Sequence, residues 1–269
     1  MKSESTNFGF GKNWKNYAQS ITDVQIEEAK RSLIENIGAA DLDNKRLLDA
    51  GCGSGLFSLA ARLCGYKVHS FDYDVDSVEC TESIKKKYRN GDADWKIERG
   101  SVLDKEYLNN LGKYNVVYSW GVLHHTGNLW EAMENILTLV DENGKLFISI
   151  YNDQGGASRR WTYIKKKYNQ SGLFIKSILI LYTAIRQWSL SFIRDLFKGR
   201  PTKSWNNYHK NRGMSPWHDL IDWVGGYPFE VARPEEIFKF CFERGFTLVD
   251  LKTCGGGIGC NEYVFIKKK

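Results

Sequence analysis

The stretch that decides the fold is LLDAGCGSGLFSLAA, residues 47–61, in which three glycines within five positions separate an apolar run from a helix-like run. Glycine lacks a β-carbon and adopts positive φ readily, so Gly51, Gly53 and Gly55 let the turn press against a ligand. A dinucleotide-binding G-x-G-x-x-G loop is disfavoured because Leu56 stands where its last glycine would be. A triphosphate-binding loop is disfavoured because no Lys-Ser or Lys-Thr pair follows. The turn is predicted to bind a ligand of another kind.

Composition limits the number of domains, the kind of cysteine chemistry and the partners that the chain can have. The chain has 269 residues, 42% apolar and 26% charged, which suits one large domain or a domain with a substantial insertion. Its six cysteines form no C-x-x-C pair and no secretory leader precedes them, so we expect no metal site and a reducing, cytoplasmic location. The net charge of +6 permits contact with nucleic acid or anionic lipid without requiring either.

Apolar strands and helical segments alternate along most of the chain. The predicted strands are 46–50, 67–72, 95–100, 114–120, 145–151, 247–255 and 261–269. The predicted helices are 22–37, 56–64, 75–89, 129–140 and 234–246. Strands separated by helices predict an α/β fold with a doubly wound, mostly parallel sheet. After Tyr151 the alternation of strands and helices stops for about 80 residues, which predicts a helical insertion after the fifth strand.

Three features in order carry a family resemblance: D-x-G-C-G-x-G at 49–55, an acidic residue 23 positions later at Asp72, and VVYSWGVLHH at 116–125. Together they resemble the class I S-adenosylmethionine (SAM)-dependent methyltransferases, and most closely the small-molecule branch that includes the quinone O-methyltransferases. The resemblance covers roughly residues 40–155 and, more weakly, 232–269. It implies a Rossmann-like methyltransferase fold with SAM as cofactor.

The resemblance also implies which residues bind SAM. Asp72 would accept hydrogen bonds from both ribose hydroxyls, Tyr73 would lie along the adenine, and Asp49 would organise the turn or meet the ammonium through water. The family usually ends its third strand with an acidic residue, whereas this chain has Ser101. The predicted cofactor-binding residues are Asp49, Gly51, Cys52, Gly53, Gly55, Asp72, Tyr73, Ser101, Val102, Trp120 and Gly121.

A methyl acceptor that is a hydroxyl must lose its proton, and a histidine suits that task. His124 and His125 follow the fourth strand and are the candidate catalytic bases, although either or both would look the same as packing residues. The segment Tyr151, Asn152 and Asp153 follows the fifth strand and is predicted to bind the acceptor. The D/N-P-P-Y motif of amino-methylating enzymes is missing, which favours oxygen as the acceptor atom.

The insertion contains an apolar segment, 172–199, whose longest uncharged stretch is the nine residues 177–185. A bilayer span needs about 20 residues, so we expect an amphipathic helix or helix pair that does not cross a membrane. A lid or dimer interface is favoured over a membrane-surface helix. Trp217 and His218 are predicted to bind a sugar or aromatic acceptor, although a packed helix-turn would have the same pattern.

The sequence thus predicts an N-terminal helical cap (1–38), a SAM-binding core (39–155), a helical insertion forming an acceptor lid (156–231) and a C-terminal part of the core sheet (232–269). The Gly- and aromatic-rich segment 8–19 is expected to close over the cofactor or to pack on the lid. The predicted function is SAM-dependent methylation of an oxygen on a small or lipid-linked molecule, a sugar or quinone-like acceptor. Alternatives are an RNA methyltransferase and a non-catalytic SAM-binding or membrane-surface protein. Nucleic acid is not an expected partner, and peripheral membrane contact stays open.

Overall fold

The apolar runs predicted as strands form one seven-stranded sheet. The computed structural model describes residues 8–11, 14, 21–38, 45–200, 216–257 and 259–268, except the side chains of Leu190 and His218. The strands are β1 Arg46–Ala50, β2 Lys67–Asp72, β3 Trp95–Arg99, β4 Tyr114–Trp120, β5 Val140–Tyr151, β6 Phe246–Lys252 and β7 Cys260–Lys267. Their order is β3-β2-β1-β4-β5-β7-β6, with β1 to β5 parallel and β7 antiparallel to both neighbours.

Helices occupy the connections between these strands and the region after β5. They are α1 Asp23–Ile37, α2 Leu56–Leu63, α3 Val75–Tyr88, α4 Lys105–Asn109, α5 Leu129–Leu137, α6 Gly156–Gln170, α7 Leu173–Phe197, α8 Pro216–Gly225 and α9 Pro234–Phe242. A 3-10 turn, Leu123–His125, follows β4. The predicted doubly wound, mostly parallel α/β fold is confirmed.

Polar side chains fix where several helices begin. The Asp74 carboxylate accepts a hydrogen bond from the Asp76 amide at 3.0 Å and caps α3, and the Asp104 carboxylate accepts from the Tyr107 amide at 3.0 Å and caps α4. At α9, Pro234 occupies the first turn, where a missing amide hydrogen costs nothing. These caps set the loops that follow β2 and β3 at the carboxyl edge of the sheet.

Both faces of the sheet are covered with apolar side chains, as a parallel sheet requires. Alternate residues of β1 show this, because Leu47 joins one buried cluster and Leu48 the other. On the Leu47 face, α1 and α2 pack together, and α1 buries Ile26, Leu33 and Ile37 there. The sheet is closed on both faces, so its carboxyl edge is where functional loops gather.

The sheet belongs to a compact unit made of Gly9–Ser158 and Glu230–Lys269. A second unit contains Arg159–Phe229 together with Phe8. Inside it, the buried Lys165 ammonium donates to the Trp223 carbonyl and lies 4.1 Å from the centroid of the Trp223 ring. The Asn169 side-chain amide donates to the Gly225 carbonyl at 2.6 Å. These contacts join α6 to α8.

The apolar segment of the second unit is one continuous helix, α7, rather than a helix pair. None of the helices in the described ranges combines the length and the apolarity that a bilayer crossing demands. We assigned no helix to residues 156–170 from sequence, where α6 lies, because lysines and arginines interrupt its apolar spacing.

Candidate active site

The glycine turn between β1 and α2 has left-handed backbone at Gly51, Gly53 and Gly55, with φ of 88°, 51° and 80°. A β-carbon at Gly51 would lie 2.4 Å from the Val122 side chain, and one at Gly55 would lie 2.9 Å from Thr81. Both positions therefore require glycine for packing as well as for backbone conformation. The two close approaches fix the turn against the loop after β4 and against α3.

The turn is also tied to the end of β2. The amides of Gly51 and Cys52 donate to the Phe71 carbonyl at 2.8 and 3.1 Å. The Asp72 carboxylate accepts from the Gly53 amide at 3.0 Å and from the Asp74 amide at 2.9 Å, one bond to each oxygen. Because a carboxylate has about four lone-pair positions, Asp72 can accept a ligand hydroxyl in addition to these amides. Burial raises the pKa of Asp72 to about 6.

Asp49 lies beneath the turn and is fully buried. The Ser58 hydroxyl donates to its carboxylate at 2.5 Å and lies 2.7 Å from the Ser70 hydroxyl, to which the Trp95 indole donates at 2.9 Å. Burial, reinforced by the charge of Asp72, raises the pKa of Asp49 to about 7. The same two carboxylates and burial raise the pKa of the Cys52 thiol. A cation at this turn would favour ionised Asp49 and Asp72.

The residues predicted to contact adenine take different orientations. Tyr73 is exposed, with the Arg99 guanidinium 5.6 Å from its ring centroid. The Ser101 hydroxyl accepts from the Leu103 amide at 3.1 Å and shapes the loop after β3. Val102 is buried in the core, and its carbonyl accepts from the Asn135 side chain at 2.9 Å. Of the three, Tyr73 presents its side chain to solvent at this edge.

Strand β4 ends at Trp120, whose side chain is 44% exposed. Its indole nitrogen donates to the Glu262 carboxylate at 3.2 Å, and the Lys252 ammonium lies 3.8 Å from the other oxygen of that carboxylate. Gly121 follows with φ of 76°, and a β-carbon there would meet nothing within 4 Å. The end of β4 therefore presents an indole and an open backbone.

The two histidines lie in the 3-10 turn after β4, and their exposure differs. His124 is fully buried, with its ring centroid 4.1 Å from that of Tyr151 and 4.5 Å from that of His125. His125 is partly buried, 4.9 Å from the ring of Phe10 and 5.6 Å from that of Tyr151. The Glu230 amide donates to the His124 carbonyl at 2.9 Å and holds the turn. Of the two imidazoles, that of His125 is the more exposed to solvent.

The other predicted acceptor residues are placed as follows. The buried Asn152 side chain accepts from Asn261 at 3.2 Å, and the Asp153 carboxylate accepts from the Gly155 amide at 2.8 Å. Both therefore fix the chain where it leaves β5. Trp217 is 50% exposed on α8 in the second unit, and the His218 side chain lies outside the described residues. The sheet unit brings together all the predicted site residues except Trp217 and His218.

Sequence reasoning missed several contributors to this edge. The Trp14 indole would lie 3.4 Å from a β-carbon at Gly53, and the Gly11 amide donates to the Asp74 carboxylate at 2.9 Å. The aromatic and glycine content of 8–19 indicated that segment, whereas Val122 was not singled out within the 116–125 motif and Glu262 belonged to no motif. Within the described ranges, we found no group of three or more His, Cys, Asp or Glu side chains arranged to hold a metal ion.

A family model described as a methyltransferase domain matches residues 23–213, more than half of the chain. The chain belongs to this methyltransferase family. The ribosomal protein L11 methyltransferase of Campylobacter hominis is 32% identical to it over 101 residues, 34% of this chain and 33% of that protein. The ubiquinone biosynthesis O-methyltransferase of Rickettsia prowazekii is 29% identical over 132 residues, 49% of each chain. The methyltransferase thus spans a third to a half of the length of these curated relatives.

Among solved structures, the magnesium protoporphyrin IX methyltransferase of Synechocystis with bound S-adenosylhomocysteine (SAH) is similar to this methyltransferase. The TM-score is 0.54 at 14% identity, and the match covers 93% of this chain and 84% of that one. At this identity the likeness concerns the fold, which is the class I SAM-dependent methyltransferase fold. The predicted membership of that class, close to the quinone-type O-methyltransferases, is confirmed.

Proposed function

We propose that this protein transfers the methyl group of SAM to a hydroxyl oxygen of a small molecule, a sugar or a quinone-like ring, with His125 as the base. The observation that carries the choice of oxygen is the accessible imidazole of His125, framed by the rings of Phe10 and Tyr151 directly after β4. Hydroxyl acceptors need a proton acceptor, which this imidazole supplies.

The residues at the glycine turn fit SAM. Three left-handed glycines within five residues lie beside Asp72, whose carboxylate can accept a ribose hydroxyl in addition to the backbone amides. The buried carboxylate of Asp49 adds negative charge where the cofactor's ammonium would lie. Bound SAM would supply an electrophilic methyl group, which passes from sulfur to the acceptor oxygen by in-line displacement.

The chain's own residues would supply position and proton transfer. His125 takes the hydroxyl proton as the new carbon–oxygen bond forms, so the imidazole ends the step as a cation. Tyr151 and Phe10 provide aromatic surfaces against which a flat or sugar ring can pack. Trp120 limits the site on the β4 side, where its indole is anchored by Glu262. Orientation of the acceptor contributes to the rate alongside proton removal.

Two further observations support oxygen and a cytoplasmic reaction. The end of β4 reads Trp-Gly-Val-Leu at 120–123 rather than the D/N-P-P-Y of amino-methylating enzymes, and the Rickettsia relative is by name an O-methyltransferase. All six cysteines are free thiols, which suits a reducing compartment.

The test is to incubate the purified protein with SAM carrying a trideuterated methyl group and two acceptor panels, dihydroxybenzenes and sugar nucleotides. Mass spectrometry detects the labelled methyl group, and NMR correlation assigns the atom that carries it. We expect an O-methyl product in one panel and its loss in His125→Ala. A methyl group on nitrogen or carbon, or label only in RNA, would refute the proposal. SAM binding without transfer to either panel or to cell-extract small molecules would favour the non-catalytic alternative.

A further inference from the structure

Helix α7 presents large apolar side chains to solvent along its length. The outer stripe consists of Phe174, Ile178, Leu181, Ile185, Phe192 and Leu196, spaced three, four or seven residues apart. Each of these side chains is between 50% and 79% exposed. Exposed apolar side chains scattered singly are ordinary, but a continuous stripe along a 25-residue helix marks an interaction surface.

Away from the stripe, α7 contains two buried polar side chains. Thr183 is buried, and its hydroxyl donates to the Leu179 carbonyl at 2.7 Å. Asp195 is also buried, with the Arg194 guanidinium 3.9 Å away. A helix on a water-soluble surface normally buries its apolar stripe and exposes its polar one. In α7 the apolar stripe itself is exposed, so this surface is suited to an apolar partner.

The charge around α7 is strongly of one sign. Residues 156–200 contain ten basic residues and one acidic residue, Asp195, which is buried, whereas the whole chain carries a net charge of only +6. Of the basic residues Lys165 is buried, and the other nine are Arg159, Arg160, Lys166, Lys167, Lys176, Arg186, Arg194, Lys198 and Arg200. An anionic partner is therefore favoured at this surface.

We propose that α7 docks the protein on an anionic lipid membrane, lying in the plane of the headgroups with the outer stripe in contact with the acyl chains. A stripe of aliphatic and phenylalanine side chains combined with basic residues is the arrangement of an interfacial helix. Helix α7 contains none of the residues of the proposed methylation site, so the inference goes beyond the proposed methylation.

The same observations disfavour the other occupants of the stripe. A second copy of the chain would bring two strongly basic segments together, which like-charge repulsion opposes. RNA would be contacted through basic and aromatic side chains rather than through Ile178, Leu181 and Ile185. Anionic lipid satisfies both the apolar stripe and the positive charge at once.

The experiment is flotation of the full-length protein with vesicles of equal phosphatidylglycerol and phosphatidylcholine, or of phosphatidylcholine alone. The stripe variant is Ile178→Ser with Leu181→Ser and Ile185→Ser. Its control is Val24→Ser with Ile34→Ser, which removes apolar side chains that are also exposed, 67% and 43%, on α1. We expect the wild type and the control to float with anionic vesicles only. The stripe variant should bind these vesicles at least about tenfold more weakly. SAH binding reports that each variant is folded.

Salt should release the wild-type protein, because the attraction between a basic helix and the headgroups is screened within a Debye length of about 8 Å at physiological ionic strength. Lys166→Glu with Lys167→Glu should weaken flotation while the stripe stays intact. Failure of the wild type to float with anionic vesicles would overturn the proposal. If the wild type is a dimer and the stripe variant is a monomer, the stripe is a self-association surface. If the stripe variant floats as the wild type does but no longer retains RNA, the stripe is a nucleic-acid surface. Loss of acceptor binding alone would show a lid.

Discussion

Helices α1 and α7 carry the same kind of apolar periodicity but present it in opposite directions. In α1 the periodic residues Ile26, Leu33 and Ile37 are buried against the sheet and α2. In α7 the corresponding stripe, including Ile178 and Leu181, is exposed. Spacing shows which side chains share a helix face, but the surroundings decide whether that face meets protein or another partner. The residues of the proposed cofactor site and of the proposed chemistry lie in the sheet unit, and the proposed membrane surface lies in the second unit.

The sharpest test of this contrast is a matched pair of truncations. Leu33→Ala removes a side chain that is 2% exposed and should lower the free energy of unfolding by about 3 kcal/mol, through lost burial and the cavity left behind. Leu181→Ala removes one that is 61% exposed and should change it by no more than about 0.5 kcal/mol. Denaturant unfolding followed by circular dichroism measures both. Equal losses would mean that α7 is covered in solution, which would break the comparison.

The next prediction concerns chemistry in the sheet unit. His125→Ala should lower kcat about 100-fold or more and leave SAM affinity unchanged, because the imidazole is proposed to take the proton rather than hold the cofactor. Steady-state kinetics and calorimetry with SAH separate these effects.

The buried neighbour His124 serves as the control for that result. His124→Asn should reduce stability more than it reduces the turnover of the folded enzyme, since this ring is packed against Tyr151. If His125→Ala retains turnover within a few-fold of the wild type, His125 is not the base and orientation or another group carries the reaction.

A smaller effect is expected at the cofactor. Asp72→Ala should weaken SAM and SAH by about 1 to 3 kcal/mol, because two hydrogen bonds to a charged acceptor are lost. The control is Asp104→Ala, which removes a carboxylate that also accepts a hydrogen bond from a backbone amide, that of Tyr107, in the loop after the next strand. Calorimetry should show unchanged affinity for that control. Equal weakening in the two variants would mean that Asp72 acts only through loop geometry.

The sheet unit was largely predictable because its signals are local. Strands such as Arg46–Ala50 and Lys67–Asp72 are short apolar runs bounded by turns, and the glycine turn and Asp72 lie within one strand–helix–strand segment. Strand β5 begins at Val140, whereas the sequence predicted a start at residue 145. The strand continues through the residues that resemble a turn because Asn143 adopts a positive φ of 56° and the pairing with β4 shifts register there.

The unpredicted parts of the site depend on contacts between distant parts of the chain. Glu262 lies beside Trp120 only because β7 inserts between β5 and β6, and the two residues are 142 positions apart. Val122 faces Gly51 across the edge of the sheet. The outward direction of the α7 stripe was not predictable either, since one spacing serves a lid, a dimer or a membrane surface equally well.

The smallest predicted effect is a pH dependence of cofactor affinity. A cationic ligand that uses ionised Asp72 should bind better as pH rises through the pKa of about 6. Between pH 5 and pH 7 the affinity for SAM should increase about tenfold, because the cost of removing the proton disappears. Fluorescence titration at fixed ionic strength measures it. Asp72→Asn should bind weakly with no rise near pH 6, whereas a rise that persists near pH 7 would assign the titration to Asp49.

The same two carboxylates should also make the stability of the protein depend on pH, and bound SAM should reduce that dependence. Asp49 and Asp72 have folded pKa values, about 7 and about 6, above those of an unfolded chain. Their contribution to stability is therefore complete below about pH 4 and is lost as pH rises to about 7. Bound SAM should offset that loss, so the increase in Tm on adding SAM should grow from pH 5 to pH 7. A constant increase would mean that neither carboxylate meets the cofactor's charge, and the cofactor site would then rest on the glycine backbone alone.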